Sequence, residues 1–145
     1  MLNLIDGAVG NGRHPDLVLA GHVHNYQRFT RTLSNGWEVP YIVAGGGGYY
    51  DLYPVGEYKF GQKTPTPVKA PLHRTNPDRT LAHFVDNYFG YLRITVTPSE
   101  IRGVFQPCLS GKGITKYPMN GPTLSTATPV GPFVVDLKKH KVKNG

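Results

Sequence analysis

Leu2, Leu4, Ile5, Ala8 and Val9 recur at roughly helical spacing until Gly10-Asn11-Gly12 breaks the pattern. That spacing predicts a short N-terminal helix, or the last turns of one. After Pro15, Asp16-Leu17-Val18-Leu19-Ala20 is a continuous apolar run closed by Gly21. A run without alternation predicts a strand buried on both faces, as in the interior sheet of an α/β protein. Residues 26 to 33 then mix aromatic, β-branched and polar types, Ser34-Asn35-Gly36 signals a turn, and residues 37 to 44 are apolar again. This predicts a β-hairpin in which Asn35-Gly36 supplies the positive φ angles of a tight turn. Pro40 has no N–H to give, so its strand is expected to have an edge portion.

Gly45-Gly46-Gly47-Gly48 ends that strand, and from Tyr49 to about Thr80 there is little periodicity and much proline. Such a stretch reads as a long loop over the surface. In Gly90 to Thr97, Tyr91, Arg93, Thr95 and Thr97 alternate with Leu92, Ile94 and Val96. Pro98-Ser99 turns the chain, and Glu100 to Gln106 alternates again, making this the clearest antiparallel hairpin. Residues 107 to 132 read as loop, and Phe133 to Leu137 as a last strand. The chain therefore reads as a single domain over 1–145. Residues 1–48 hold the first strand, a histidine turn and a hairpin, and 49–88 a long loop. Residues 89–106 hold the second hairpin, and 107–145 a loop, the last strand and a basic tail.

Composition changes this picture little. The chain has 145 residues, 39% of them hydrophobic and 17% charged, with 18 glycines and 13 prolines. That is a globular composition rich in turns. No apolar run approaches the ~20 residues of a membrane helix, so no membrane partner is expected. No signal peptide is visible at the start of the chain, and nothing assigns a compartment. Cys108 is the only cysteine, which excludes an internal disulfide and multi-cysteine zinc sites. The formal net charge of +7 suits an anionic substrate, or loose attraction to nucleic acid. Lys138, Lys139, Lys141 and Lys143 crowd the end, as solvated tails do, and no aromatic-basic RNA signature is present, so nucleic acid is not expected as a partner. Gly45 to Gly48 lacks the lysine-hydroxyl ending of a phosphate loop, and Ser110-Gly111-Lys112-Gly113 is likewise incomplete.

The one pattern that carries chemistry is Gly21-His22-Val23-His24. In an extended backbone, residues two apart point the same way, so both imidazoles could face one cavity. Imidazole is a common ligand for zinc and iron. Loops at the ends of strands form crevices where ligands collect, and glycine permits a sharp approach.

Residues 16 to 28, Asp-Leu-Val-Leu-Ala-Gly-His-Val-His-Asn-Tyr-Gln-Arg, resemble the last signature of the calcineurin-like metallophosphoesterases, in particular the purple-acid-phosphatase-like branch. The downstream order is similar too: a hairpin, then Tyr41 to Gly48, then Phe89 to Val96, so that the likeness spans about 16 to 106. Gln27 departs from the glutamate frequent in purple acid phosphatases. The resemblance implies an α/β fold, a β-sandwich flanked by helices. This chain would be its incomplete, mostly β C-terminal portion with a short N-terminal helix. It also implies hydrolysis of phosphate mono- or diesters by two divalent or trivalent metal ions (Fe, Mn or Zn) ~3.5–4 Å apart. His22 would ligate one metal and His24 the other. Both must be neutral to do so, and binding should weaken below pH ~6.5. Arg28 could hold a phosphate oxygen, with Tyr26 beside it, or be a structural strand residue. Trp37, Tyr49, Tyr50 and Tyr53 could line an entrance or simply pack.

The family's earlier ligand motifs are missing. The chain contains no Asp-x-His and no Gly-Asp, and Gly10-Asn11-Gly12-Arg13-His14 has the wrong spacing for the asparagine-histidine block. His73, Asp78, His83 and Asp86 match no ligand pattern. Two imidazoles alone make an open site, so the chain by itself is expected to be inactive. The alternative is a non-catalytic structural or interaction module derived from that family. Either way, an exposed strand edge should be covered by a missing N-terminal portion or by a second copy in a homo-oligomer.

Overall fold

The two hairpins read from the sequence form, and the way their inward residues meet determines the architecture. The computed structural model describes residues 14–47, 51–73, 78–110 and 128–145. Its strands are β1 (Val18–Ala20), β2 (Tyr26–Thr32), β3 (Glu38–Ala44), β4 (Gly56–Glu57), β5 (Thr66–Pro67), β6 (Leu72–His73), β7 (Arg79–Val85), β8 (Tyr88–Val96), β9 (Glu100–Ser110), β10 (Val130–Asp136) and β11 (Lys141–Asn144). One sheet has the order β1-β3-β2-β7-β6, a second the order β11-β10-β9-β8, and β4 and β5 pair by themselves.

The α/β expectation is thereby overturned. The described residues are 56% strand with no helix, so the architecture is all-β. The misreading came from the apolar run at 16 to 20. Instead of a strand buried on both faces, β1 is three residues long and its Leu19 is 56% exposed. It pairs on one side, in parallel with β3 (Val18↔Tyr41 to Ala20↔Val43). The helix read from residues 2 to 9 lies outside the described residues. Pro40 falls one residue before the part of β3 that β1 pairs, which is the edge portion expected of it.

Antiparallel register carries the inward residues into rows. On the first sheet Ala44, Tyr26 and Val85 lie side by side across β3, β2 and β7, and next to them Ile42, Arg28 and His83. On the second sheet Phe133 lies beside Gly103, and Val135 beside Ile101. Tyr26, Ile42 and Val85 from one sheet and Ile101, Phe105, Phe133 and Val135 from the other form one buried cluster. Tyr26 stacks on Phe105 with ring centroids 4.7 Å apart and planes 20° apart. Gly103 has to be small. A Cβ there would stand 2.2 Å from Phe133 ring carbons.

Two segments depart further from the sequence reading. β7 lies inside the stretch read as a long loop, yet its Leu81 and Val85 are buried. Its alternation is hidden by a bulge, where the register with β2 shifts between Arg28↔His83 and Phe29↔Leu81. The basic tail is not wholly solvated, because residues 141 to 144 form β11 against β10. There Lys141 Nζ donates to the Gly36 carbonyl at 2.8 Å and lies 3.2 Å from Glu38 Oε1. The Val142 amide donates to Glu38 Oε2 at 2.9 Å. Trp37 stacks on His140 in the same corner, centroids 3.5 Å apart, with His14 against it edge-on. A clasp between the β2–β3 and β10–β11 turns thus closes the end of the sandwich away from the histidine turn.

Phe133 is 1% exposed and touches both sheets. Phe133→Ala is expected to destabilise the fold by about 3–5 kcal/mol in urea unfolding. A loss below about 1 kcal/mol would show that the sheets do not depend on this contact.

Candidate metal site at the histidine turn

The turn joining β1 to β2 is bent at every residue from His22 to Asn25. The extended backbone assumed from the two-residue spacing is therefore absent. His22 has φ +76°, a left-handed conformation uncommon for a side chain with a Cβ. The Val23 amide donates to the Gly21 carbonyl at 3.0 Å, and the Asn25 amide to the Val23 carbonyl at 2.8 Å. His22 is exposed and His24 half-buried. The imidazole of His24 stacks on Tyr53, centroids 5.3 Å apart and planes 23° apart. Of the aromatics proposed for an entrance, Tyr53 is thus beside the site and Trp37 is in the clasp at the other end. Tyr49 and Tyr50 lie outside the described residues.

Asn25 holds the turn in place, and sequence reasoning overlooked it. It is 1% exposed. Its Nδ2 donates to the Tyr53 carbonyl at 2.8 Å, and its Oδ1 accepts from Gln27 Nε2 at 2.9 Å. Its carbonyl accepts from the Gly45 amide at 3.1 Å, while the Tyr53 amide donates to the His24 carbonyl at 3.0 Å. The loop at 51–55 is held in turn by Asp86, whose Oδ2 accepts from the Val55 amide at 2.7 Å. The signal was available: an asparagine just after a glycine-led turn is suited to satisfying backbone groups there. The glycine run has a matching role. A Cβ on Gly45 would meet the Val23 carbonyl oxygen at 2.1 Å, so only glycine lets β3 pass this close to the turn.

Tyr26 and Arg28 lie beneath the turn, 0% and 2% exposed. Arg28 Nη1 donates to Asn144 Oδ1 at 2.8 Å, and its guanidinium carbon sits 5.1 Å from the centroid of the Phe133 ring. Arg28 Nε and the Tyr26 hydroxyl have no hydrogen-bond partner among the described residues. Burial pushes the Tyr26 phenol up and the Arg28 guanidinium down from their ordinary pKa values, each partly offset by the other. These contacts give both residues a structural role between the sheets.

The remaining candidates are engaged elsewhere. Asp78 Oδ2 is 3.3 Å from Arg31 Nε. His73 Nδ1 is 2.9 Å from Thr80 Oγ1. His83 is half-buried beside Tyr26, its ring filling the space over Gly131. Among the described residues no three His, Cys, Asp or Glu side chains are grouped to hold a metal ion. The donor set at the turn, two imidazoles, fits an open site that needs further ligands and does not fit a closed structural cage. Comparison of the chain with known family profiles, curated proteins and solved structures returns no match.

Gly45→Ala should push the turn off its anchor, and amide hydrogen exchange at Val23 and Asn25 should speed up at least tenfold. Unchanged exchange at both would show that the turn does not depend on the close approach. A second expectation concerns His83, whose pKa is lowered first by burial and then by the charge of Arg28. Below pH ~6.5 the unfolded chain takes up this proton while the folded chain resists it. Stability should therefore fall as pH drops below ~6.5 and level off below the folded pKa. Urea midpoints of His83→Gln should fall less than those of the parent over that range; parallel curves would refute the assignment.

Proposed function

We propose that the turn Gly21 to Asn25 is one half of a metal-dependent phosphoesterase site, with His22 and His24 as metal ligands. The observation that carries the reading is the turn itself. A strand delivers two histidines into a bent loop, one with a strained backbone, and a buried asparagine and a glycine contact hold that loop fixed. Strain at a non-glycine residue persists where surrounding structure enforces it, and functional sites are where it collects. The motif's likeness to the metallophosphoesterase signature supplies the reaction class.

In this reading His22, exposed at the apex, and His24, oriented by stacking on Tyr53, present their imidazole nitrogens. Asn25 and Gly45 keep the loop from relaxing. A bound metal pair would supply Lewis acidity and an ionised water as nucleophile for a phosphate ester. Tyr26 and Arg28 support the turn from below and do not take part in the chemistry. The other ligands come from a further segment or a second copy that covers β1, the edge strand of its sheet among the described residues, where Leu19 is 56% exposed. Two imidazoles on an open turn are fewer protein ligands than a catalytic metal usually takes, so in this reading the chain by itself is inactive. The same shortage of ligands supports a second reading, a non-catalytic module that keeps the turn as a structural feature.

Titration with zinc or manganese against a competing chelator separates these readings. The first expects measurable binding that His22→Ala and His24→Ala each weaken tenfold or more, with no hydrolysis of p-nitrophenyl phosphate by the chain alone. Binding indifferent to both substitutions would leave only the structural module. Turnover that His22→Ala abolishes would show that the chain is complete by itself.

A further inference from the structure

The stretch from 49 to 80, read from the sequence only as an irregular loop, contains a small projecting hairpin. β4 and β5 pair through Gly56↔Pro67 and Glu57↔Thr66, and the residues between them form its tip. Every residue from Glu57 to Thr64 is exposed. The tip turns at Lys59 to Gln62, where the Gln62 amide donates to the Lys59 carbonyl at 3.0 Å and Gly61 has φ +82°. A positive φ at the third position is the type II arrangement, which places Phe60 at the second position, on the corner. Phe60 is 109% exposed and Tyr58 is 61% exposed. The hairpin therefore leaves both rings outside the fold. Lys59, Lys63 and Lys69 lie in the same segment, and no Asp or Glu occurs from residue 58 to residue 70.

We infer that this hairpin is a membrane-surface finger, which inserts Phe60 and Tyr58 at the headgroup boundary of an anionic bilayer while its lysines face the lipid phosphates and carboxylates. Tyrosine settles at that boundary with its ring out of water and its hydroxyl in it, and phenylalanine buries its apolar ring there. Lysines next to an anionic leaflet add attraction that decays within a Debye length. Charge argues for an anionic surface over a neutral one. The projecting arrangement argues for a plane: a fully exposed ring at the corner of a turn can enter a surface without a partner having to enclose it. The expectation of no membrane partner rested on the lack of an apolar span. No helix among the described residues is long and apolar enough to cross a bilayer, and a surface contact requires none. The inference is independent of the metal-site reading.

Sedimentation of the full chain with vesicles of phosphatidylcholine alone, and of phosphatidylcholine with phosphatidylserine, is the test. Binding is expected to the mixed vesicles only, weak and reversible, and lost on raising the salt. Phe60→Ala should lower the partition coefficient about tenfold, and Lys59→Gln with Lys63→Gln by tenfold or more, while urea midpoints stay at the parent value. Phe60→Trp should shift its emission to the blue on binding. No sedimentation with mixed vesicles would overturn the inference. Equal binding to neutral vesicles, or binding that none of these substitutions alters, would do the same.

Discussion

The contact between Tyr26 and Phe105 connects the core of the sandwich to the histidine turn. Tyr26 begins β2 and follows directly on Asn25, so the residue that anchors the histidine turn is joined by one peptide bond to the residue that docks one sheet on the other. Their rings stack at 4.7 Å, and Tyr26 is fully buried. Burial of apolar surface is the dominant favourable term in folding, and large aromatic rings each contribute much of it. Because it acts next to the turn, the force that closes the core also holds the loop backbone where Asn25 and Gly45 can bond to it.

Arg28 shows what this arrangement costs. A guanidinium 2% exposed without a carboxylate partner among the described residues is unusual, since buried charges are normally paired. Here Asn144 accepts one hydrogen bond and the face of Phe133 receives the cation, which offsets part of the desolvation. Burial, and then the same charge, lower the pKa of His83 from its ordinary value. One side chain thus ties β2 to β10 and β11, and gives the C-terminal strand a reason to fold back. The clasp of Trp37 on His140 completes that closure at the opposite end. Its Lys141–Glu38 pair is exposed and contributes about 1 kcal/mol at most.

How much of this could be read from the sequence depended on whether local pattern and tertiary environment agreed. The hairpins at 26 to 44 and 89 to 106 were visible, because turn chemistry marked both and alternation marked the second. β7 was hidden, because its bulge breaks the alternation and its prolines lie close by. The apolar run at β1 was read correctly as strand and wrongly as interior. Composition sets how apolar a segment is, and only the surrounding strands decide what covers it. The tail lysines read as solvated because their charge is local, whereas the contacts of Lys141 with Gly36 and Glu38 span about a hundred residues. His22 and His24 stood out by spacing. Their bent backbone did not, since a positive φ at histidine leaves no mark in the sequence, and Asn25 was passed over as an ordinary loop residue.

The central claim is that the fold holds His22 and His24 ready for a shared metal centre and leaves the other four histidines out of it. Histidine-ring nitrogen NMR during a zinc titration addresses all six side chains at once. The account predicts that His22 and His24 shift or broaden together at low zinc, while His14, His73, His83 and His140 stay unchanged. Uniform response of all six, or an unmoved His22 and His24, would contradict it.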